Sequence, residues 1–165
     1  MPDYKAHFKA LLKNEAATDA LGKCLARQLV AGLVVYLHGD LGAGKTALTR
    51  ALLHSAGYVG HVKSPTYTLA EPYEIQLAGQ SVTLMHFDLY RMSSPDEFLE
   101  AGFRDVFNQS TICVVEWPEK GESVLPLPDL DIYLTVVGSG REVELCARSE
   151  RAAVCVNRLN FAPNL

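Results

Sequence analysis

The segment "VVYLHGDLGAGKTALTR", Val34–Arg50, decides the fold of this protein. It opens with a run that is apolar on both faces, which is typical of a buried parallel strand. A glycine-rich turn and a helix-like run follow. Gly39, Gly44, Lys45 and Thr46 fit the pattern G-x-x-x-x-G-K-[ST] of a phosphate-binding loop, or P-loop. Because the strand and helix that this motif requires flank it here, the sequence predicts nucleotide binding.

The physical basis of that prediction is the backbone of the loop. A loop that wraps around a phosphate must turn its N–H groups inward, and glycine reaches the necessary backbone angles at no steric cost. The N-terminus of the next helix adds unpaired N–H donors and partial positive charge. In such a loop Lys45 reaches the β- and γ-phosphates, and the hydroxyl of Thr46 is a ligand for Mg²⁺. The sequence contains no guanine-reading N-K-x-D pattern, which favours ATP.

Two acidic residues end strand-like runs and are candidate catalytic groups. Glu116 follows four apolar residues in "TICVVEWPEK", which is the Walker B pattern of a carboxylate near the metal. Asp88 lies in "MHFDLYR", where burial of an acid is costly unless it is paired or near a metal. An ion pair of Asp88 with Arg91 is the structural alternative. His86 lies on the same strand face as Asp88 and is a candidate for hydrogen bonding to the site.

Composition limits the classes of protein. The chain has 165 residues and a formal net charge of −4, which fits one P-loop domain over residues 1–165 and argues against a stand-alone nucleic-acid binder. The first residues carry scattered charges and no apolar signal-peptide core, and no apolar stretch approaches the roughly 20 residues of a membrane span. We therefore expect a cytoplasmic protein. The cysteines are Cys24, Cys113, Cys146 and Cys155, and without a C-x-x-C pair we expect buried free thiols.

The remaining pattern predicts an α/β protein with a mixed parallel and antiparallel sheet and helices on both faces. Asn14 is expected to cap a helix from Glu15 that Gly32 ends, and the preceding run His7–Leu12 is ambiguous between strand and helix. Hairpins are expected around Gly79 and around the "GSGRE" turn. Extended segments are predicted at 67–76, 82–88, 111–115, 132–137 and 143–147, and helices at 45–55, from 94, and at 150–159.

Four stretches together resemble one family, the bacterial TsaE proteins, also called YjeE. They are "GDLGAGKT", "SPTYTL", "HFDLYR" and "VEWPEK", in this order and at family-like spacing. TsaE proteins are the P-loop ATPases of the machinery that makes N6-threonylcarbamoyladenosine at adenosine 37 of tRNAs that read ANN codons. The resemblance covers roughly residues 34–120, and the ordered set of four is far more specific than the P-loop alone.

The resemblance implies roles at matching positions. Thr46 and Glu116 would ligate Mg²⁺, Glu116 would also be essential for hydrolysis, and Asp88 would support the metal or the attacking water. Thr66 would belong to a switch loop, although an ordinary turn explains its stretch equally well. Arg141 and Glu15 would border the nucleotide. The phosphate-binding residues would be Gly39, Asp40, Leu41, Gly42, Ala43, Gly44, Lys45, Thr46 and Ala47.

The resemblance also implies partners. TsaE joins a TsaD–TsaB pair as an accessory ATPase, so tRNA would be met only indirectly, and hydrolysis by the isolated chain would be slow. Two other functions stay open at this point. A P-loop small-molecule kinase would use the same phosphate loop, with arginines of the segment 91–104 as a lid, and a nucleotide-dependent adaptor would bind ATP without needing to cleave it.

Overall fold

A seven-stranded sheet organises the computed structural model, which describes residues 6–65 and 67–159. The strands are β1 (His7–Leu12), β2 (Val34–His38), β3 (Ala70–Leu77), β4 (Gln80–Asp88), β5 (Thr111–Glu116), β6 (Leu130–Val137) and β7 (Gly140–Ala147). The helices are α1 (Glu15–Ala26), α2 (Lys45–Ser55), α3 (Pro95–Glu100) and α4 (Glu150–Leu159). Short 3-10 turns occupy Phe103–Val106 and Pro118–Gly121.

The order of the strands confirms the predicted mixed sheet. It runs β1-β7-β6-β2-β5-β4-β3, with parallel pairing from β6 through β2 and β5 to β4. The outer strands pair antiparallel, β3 with β4 on one side, and β7 with both β6 and β1 on the other. Because β2 lies in the centre, the loop that follows it opens at the carboxyl edge of four parallel strands. Ligands of open α/β sheets bind at this edge.

Helices lie on both faces of the sheet, as predicted, but the two faces are covered unequally. The larger core packs α1, α2 and α4 on one face, with Leu21, Leu53 and Val156 fully buried. The smaller core on the other face groups Phe87, Phe98, Cys113 and Val115 around α3 and its following turn. Residues of β5 alternate between the two cores, which explains why its sequence is apolar at successive positions.

Three local predictions are refined by the structure. The run His7–Leu12 is a strand, because pairing with β7 gives its backbone groups partners. The first helix is capped by the Asn14 side chain, as predicted, but it ends at Ala26 and not at Gly32, which instead adopts a positive φ of 88° before β2. The third strand begins at Ala70 and not at residue 67, since Leu69 has a φ of 66° that interrupts the extended run.

The length and apolarity of the helices decide whether any of them could cross a membrane. Across residues 6–65 and 67–159, no helix combines the length and apolarity needed to cross a bilayer.

Candidate nucleotide site

The loop between β2 and α2 has the backbone that the motif predicts. Gly44 caps α2 with a φ of 103°, in the left-handed region that glycine occupies without strain. Gly39 is restricted by space, because a Cβ there would lie 2.7 Å from the carbonyl oxygen of Leu134. The first turn of α2 has no side-chain cap, so its N–H groups are available to an anion.

Lys45 lies beneath this loop and is buried, with 5% of its surface exposed. Its Nζ donates a hydrogen bond to the carbonyl oxygen of Gly39 and lies 3.9 Å from the centre of the Trp117 ring. Burial lowers the pKa of Lys45, and the charges of Glu116 and Asp88 oppose that shift. A cation held in this way by a carbonyl and a ring is positioned to exchange these weak partners for phosphate oxygens.

Glu116 ends β5 with its carboxylate buried, 2% exposed, and held by two neighbours. Its Oε2 lies 2.6 Å from Nε2 of the fully buried His86 and 3.5 Å from the hydroxyl of Thr46. The ring nitrogen Nδ1 of His86 has no hydrogen-bond partner in the part of the chain that the structure describes. His86 therefore fixes the orientation of Glu116 toward Thr46 through a single ring nitrogen.

Asp88 ends β4 directly opposite Glu116 in the parallel register, which brings two carboxylates to one edge of the sheet. Its Oδ1 accepts a hydrogen bond from the N–H of Tyr90 at 3.1 Å. Burial raises the pKa of Asp88, and the nearby charge of Glu116 raises it further. The alternative ion pair with Arg91 is not formed within the described residues. Arg91 lies instead over the ring of Tyr67, 5.3 Å from its centre.

Two adjoining cavities meet at the loop. One of about 440 Å³ contains Lys45, Thr46, Asp88 and Glu116, together with Trp117. The other, of about 540 Å³, lies on the far side of Gly44 and Ala47, which line both. Glu15 and Arg141 line this second cavity, so the residues expected to border the nucleotide do lie beside the loop.

Arg141 contacts the loop directly. Its Nε donates to the carbonyl oxygen of Ala43 at 3.0 Å, and its Nη2 donates to that of Gly42 at 3.1 Å. These bonds engage carbonyl groups of the loop and none of its N–H groups, of which that of Ala43 already donates to the carbonyl oxygen of Asp40 at 3.0 Å. The guanidinium thus connects the β6–β7 hairpin to the loop.

Not every predicted residue reaches the two cavities. Gly39 and Asp40 line a separate cavity beside β6, while Leu41 and Gly42 border the smaller of the two described above. Ala43 is buried under the loop. Thr66 lies outside the described residues, although Ser64, from the same stretch, lines the cavity with Glu116.

Several residues that line the cavities were not among the site residues predicted from the sequence. Asn14, Thr18 and Arg50 line the larger cavity with Glu15, and Tyr90 lines the smaller one. Arg50 follows Thr46 by four residues on α2, so helical spacing was an available signal for it. Asn14 and Thr18 are also four residues apart, at the start of α1. Asn14 caps this helix, however, and that role explains its presence without a ligand.

The donor set fits Mg²⁺. Thr46 offers a hydroxyl and Glu116 a carboxylate at one point, with the Asp88 carboxylate on the adjacent strand, and hard oxygen ligands are what Mg²⁺ prefers. The residues that would hold the ion are thus Thr46 and Glu116.

The fold and the loop together define a protein of the P-loop NTPase fold class. Comparison with solved structures agrees, because the crystal structure of Bacillus subtilis YdiB superimposes with a TM-score of 0.74 at 27% sequence identity. That match covers 99% of this chain and 100% of YdiB.

Sequence comparisons give the family. The family model for the threonylcarbamoyl adenosine biosynthesis protein TsaE matches residues 12–143. The Haemophilus influenzae tRNA threonylcarbamoyladenosine biosynthesis protein TsaE is 49% identical over 117 residues, 71% of this chain and 72% of that protein. The Bacillus subtilis protein of the same name is 33% identical over 153 residues, 92% and 93% of the two chains. The chain belongs to the TsaE family, whose P-loop implies nucleotide binding.

Proposed function

We propose that the protein is a Mg²⁺-dependent ATP-binding and slowly ATP-hydrolysing subunit required for threonylcarbamoylation of adenosine 37 in tRNAs that read ANN codons. It would act with TsaD and TsaB and meet tRNA only through them. The observation that supports this proposal is the meeting of Lys45, Thr46 and Glu116 at one cavity beside a glycine-rich loop.

The two cavities suggest how ATP would lie. The triphosphate would follow the loop and the N-terminus of α2, with Lys45 on the terminal phosphates. The nucleoside would occupy the larger cavity between Glu15 and Arg141, which joins the loop at Gly44 and Ala47. Mg²⁺, when bound, would neutralise charge on the β- and γ-phosphates.

Glu116 is the proposed group for hydrolysis. Its carboxylate would orient a water molecule for attack on the γ-phosphorus. The water oxygen would form a new P–O bond while the bond from the γ-phosphorus to the bridging oxygen breaks. That oxygen and the electron pair would leave with ADP, and the protons of the water would pass to the released phosphate and to solvent. His86 would hold that carboxylate in place, since their atoms lie 2.6 Å apart. Asp88 would support the metal or the water from the neighbouring strand.

The positions of the arginines near the site lead us to expect slow hydrolysis by the chain alone. An arginine finger that contacts the transferred phosphate is worth about 10³–10⁵ in rate. Arg141 is engaged with carbonyl groups of the loop. Arg91 lines the cavity that contains Lys45 and Glu116, but its guanidinium lies over the ring of Tyr67. A partner that supplied or released an arginine would accelerate the reaction, so the ATP cycle would be tied to assembly.

The γ-phosphate would then act as a switch. The segment of residues 63–69 precedes β3, and its Ser64 lines the cavity with Glu116. Contacts of this segment to the γ-phosphate and its Mg²⁺ would hold one arrangement, and their loss on hydrolysis would release it.

Paired assays of ATPase activity and tRNA modification, with and without purified TsaD and TsaB, test this proposal. Lys45→Ala should abolish ATP binding, and Glu116→Ala should retain binding while hydrolysis falls by at least about 10²-fold. Matched control variants are Lys23→Ala and Glu100→Ala, which change exposed residues of the same types on α1 and α3. Transfer of phosphate to a metabolite would instead indicate a kinase. Full tRNA modification by the hydrolysis-deficient variant would favour an adaptor.

A further inference from the structure

A cluster of metal-ligating side chains lies at the β1–β7 edge, away from the nucleotide site. His7 on β1 is directly opposite Cys146 on β7, and Glu144 is two residues earlier on β7, so the three side chains share one face. Nε2 of His7 lies 3.1 Å from Oε2 of Glu144, and Sγ of Cys146 lies 3.9 Å from Oε1 of Glu144. One ligand atom from each residue lies within 4.8 Å of the other two.

These atoms form a nitrogen, oxygen and sulfur donor set of the kind that zinc takes. Bond lengths of 2.0–2.3 Å in a tetrahedral site place ligand atoms about 3.3–3.8 Å apart. The spacings of 3.1 and 3.9 Å are near this range, although each is measured to a different oxygen of Glu144. Coordination therefore requires side-chain rotations that bring ligand atoms now within 4.8 Å of one another closer together. We propose that His7, Glu144 and Cys146 bind a divalent cation of the zinc type, with water at the fourth position.

The site is separate from the candidate nucleotide site. Cys146 follows Arg141 by five residues along β7, a distance of about 17 Å in an extended strand. The side chains of Glu144 and Cys146 also point away from the face on which Val143 and Leu145 join the larger core. His7, Glu144 and Cys146 all fall outside residues 12–143, so the family match carries no information about them.

The surrounding charges are compatible with a bound cation. A thiolate at Cys146 and the carboxylate of Glu144 together balance two positive charges. Two basic side chains lie near the site. Lys9 is opposite Glu144 in the strand register and forms an ion pair with Glu142 at 3.4 Å, and Arg148 forms one with Asp131 at 2.9 Å.

Binding would release the thiol proton of Cys146 to solvent. The thiolate is the form of cysteine that ligates a metal ion, so the cation would take the place of the thiol proton. The consequence for the fold would be a cross-link between β7 and the edge strand β1.

Titration of the full chain with Co²⁺, in the presence of saturating Mg·ADP, tests this site. The nucleotide complex occupies the loop, and Co²⁺ bound by a thiolate gives a charge-transfer absorption in the near ultraviolet. One equivalent should produce this absorption, and Zn²⁺ should displace it. Cys146→Ser should abolish the absorption, while His7→Gln and Glu144→Gln should weaken binding by at least about 10-fold. Cys24→Ser is the matched control, since Cys24 is also a half-buried free cysteine.

Thermal unfolding gives a second measure. Zn²⁺ should raise the melting temperature of the native chain and of Cys24→Ser, and at the same Zn²⁺ concentration it should raise that of His7→Gln less. His7 is half exposed, so its replacement is expected to preserve the fold. The inference is overturned if the native chain gives no thiolate absorption with Co²⁺, or if the absorption survives in Cys146→Ser. These outcomes are independent of ATP hydrolysis and therefore of the proposed function.

Discussion

At the scale of single residues, the candidate site depends on a buried hydrogen-bonded pair, His86 and Glu116. A carboxylate that is 2% exposed requires hydrogen-bond donors, and a fully buried histidine supplies one at 2.6 Å. The hydroxyl of Thr46, at 3.5 Å, is a weaker neighbour. Orientation of the carboxylate therefore depends mainly on one imidazole.

Replacement of His86 tests this dependence. His86→Ala should lower the free energy of unfolding by about 1–3 kcal/mol, because a buried carboxylate loses its main donor. ATP hydrolysis should fall as well, while ATP binding through the loop is retained. His86→Gln, which keeps a donor, should lose less of both. Urea unfolding and ATPase assays measure these effects.

The exposed His61 provides the control for that experiment. His61→Ala changes a residue of the same type that lines neither of the two cavities, and it should leave hydrolysis unchanged. If His86→Ala matched the native chain in both stability and hydrolysis, the positioning role of His86 would be wrong.

At the scale of secondary-structure elements, the turn between β3 and β4 holds an alanine in a backbone conformation that alanine disfavours. Ala78 and Gly79 both have positive φ, 51° and 80°. This pattern is that of a two-residue type I′ turn, which favours Asn-Gly. Alanine in the left-handed region costs about 1 kcal/mol, because its Cβ crowds the backbone. The hairpin forms nevertheless, since its eight paired positions and its contact with β5 stabilise it.

Ala78→Asn should relieve this conflict. We expect the free energy of unfolding to rise by about 0.5–1 kcal/mol, because asparagine tolerates the left-handed conformation better than alanine. Thermal or urea unfolding measures the gain, and ATP binding should not change because the turn is remote from the loop. Ala16→Asn, on the exposed side of α1, is a control that should not stabilise, since asparagine is a weaker helix former than alanine. A loss of stability in Ala78→Asn would contradict the assignment of the turn.

At the scale of the whole molecule, Asp129 connects three separate parts of the chain. Its Oδ2 accepts hydrogen bonds from the N–H of Val34 at 2.8 Å and from Nη2 of Arg151 at 3.0 Å. Nη2 of Arg151, on α4, also donates to the carbonyl oxygen of Gly32 at 2.7 Å. The carboxylate therefore joins the start of β2 and the first turn of α4 at the edge of the sheet opposite the loop.

The stability of this connection should depend on pH. Burial alone would raise the pKa of Asp129, but the hydrogen bonds from Arg151 and Val34 outweigh it, so the pKa is lowered. A carboxyl with a lowered pKa in the folded state contributes stability above its unfolded-state value of about 3.9 and loses that contribution as pH falls further. Asp129→Asn should cost about 1–2 kcal/mol near pH 7, and the difference from the native chain should vanish in strong acid.

Urea unfolding across a range of pH measures this effect. Glu100→Gln serves as a control, because Glu100 is exposed at the end of α3. An equal cost of Asp129→Asn at all pH values would show that the lost contribution does not come from the ionised carboxylate.

Several elements were predictable because their causes are local. Asn14 caps α1 through its own side chain, which accepts from the N–H of Ala17 at 3.0 Å. The bounds predicted for α2 and α4 were confirmed, since each begins and ends where the local residue pattern changes. The end of α1 was wrong by six residues, because Gly32 serves the entry to β2 and not the end of the helix.

The sequence by itself determined the phosphate-binding loop, the strand and helix around it, and the family. These features follow from backbone angles and residue spacing within short segments, where interactions between neighbours along the chain are sufficient.

Only the tertiary structure decided which distant residues meet. The pairing of β4 with β5 placed His86 and Asp88 beside Glu116, and the β6–β7 hairpin brought Arg141 onto the loop. The pairing of β1 with β7 joined His7 to Cys146 and gave the ambiguous run His7–Leu12 its strand conformation. The physical reason is that strand order and register are set by burial of the whole sheet against its helices, which no short stretch encodes.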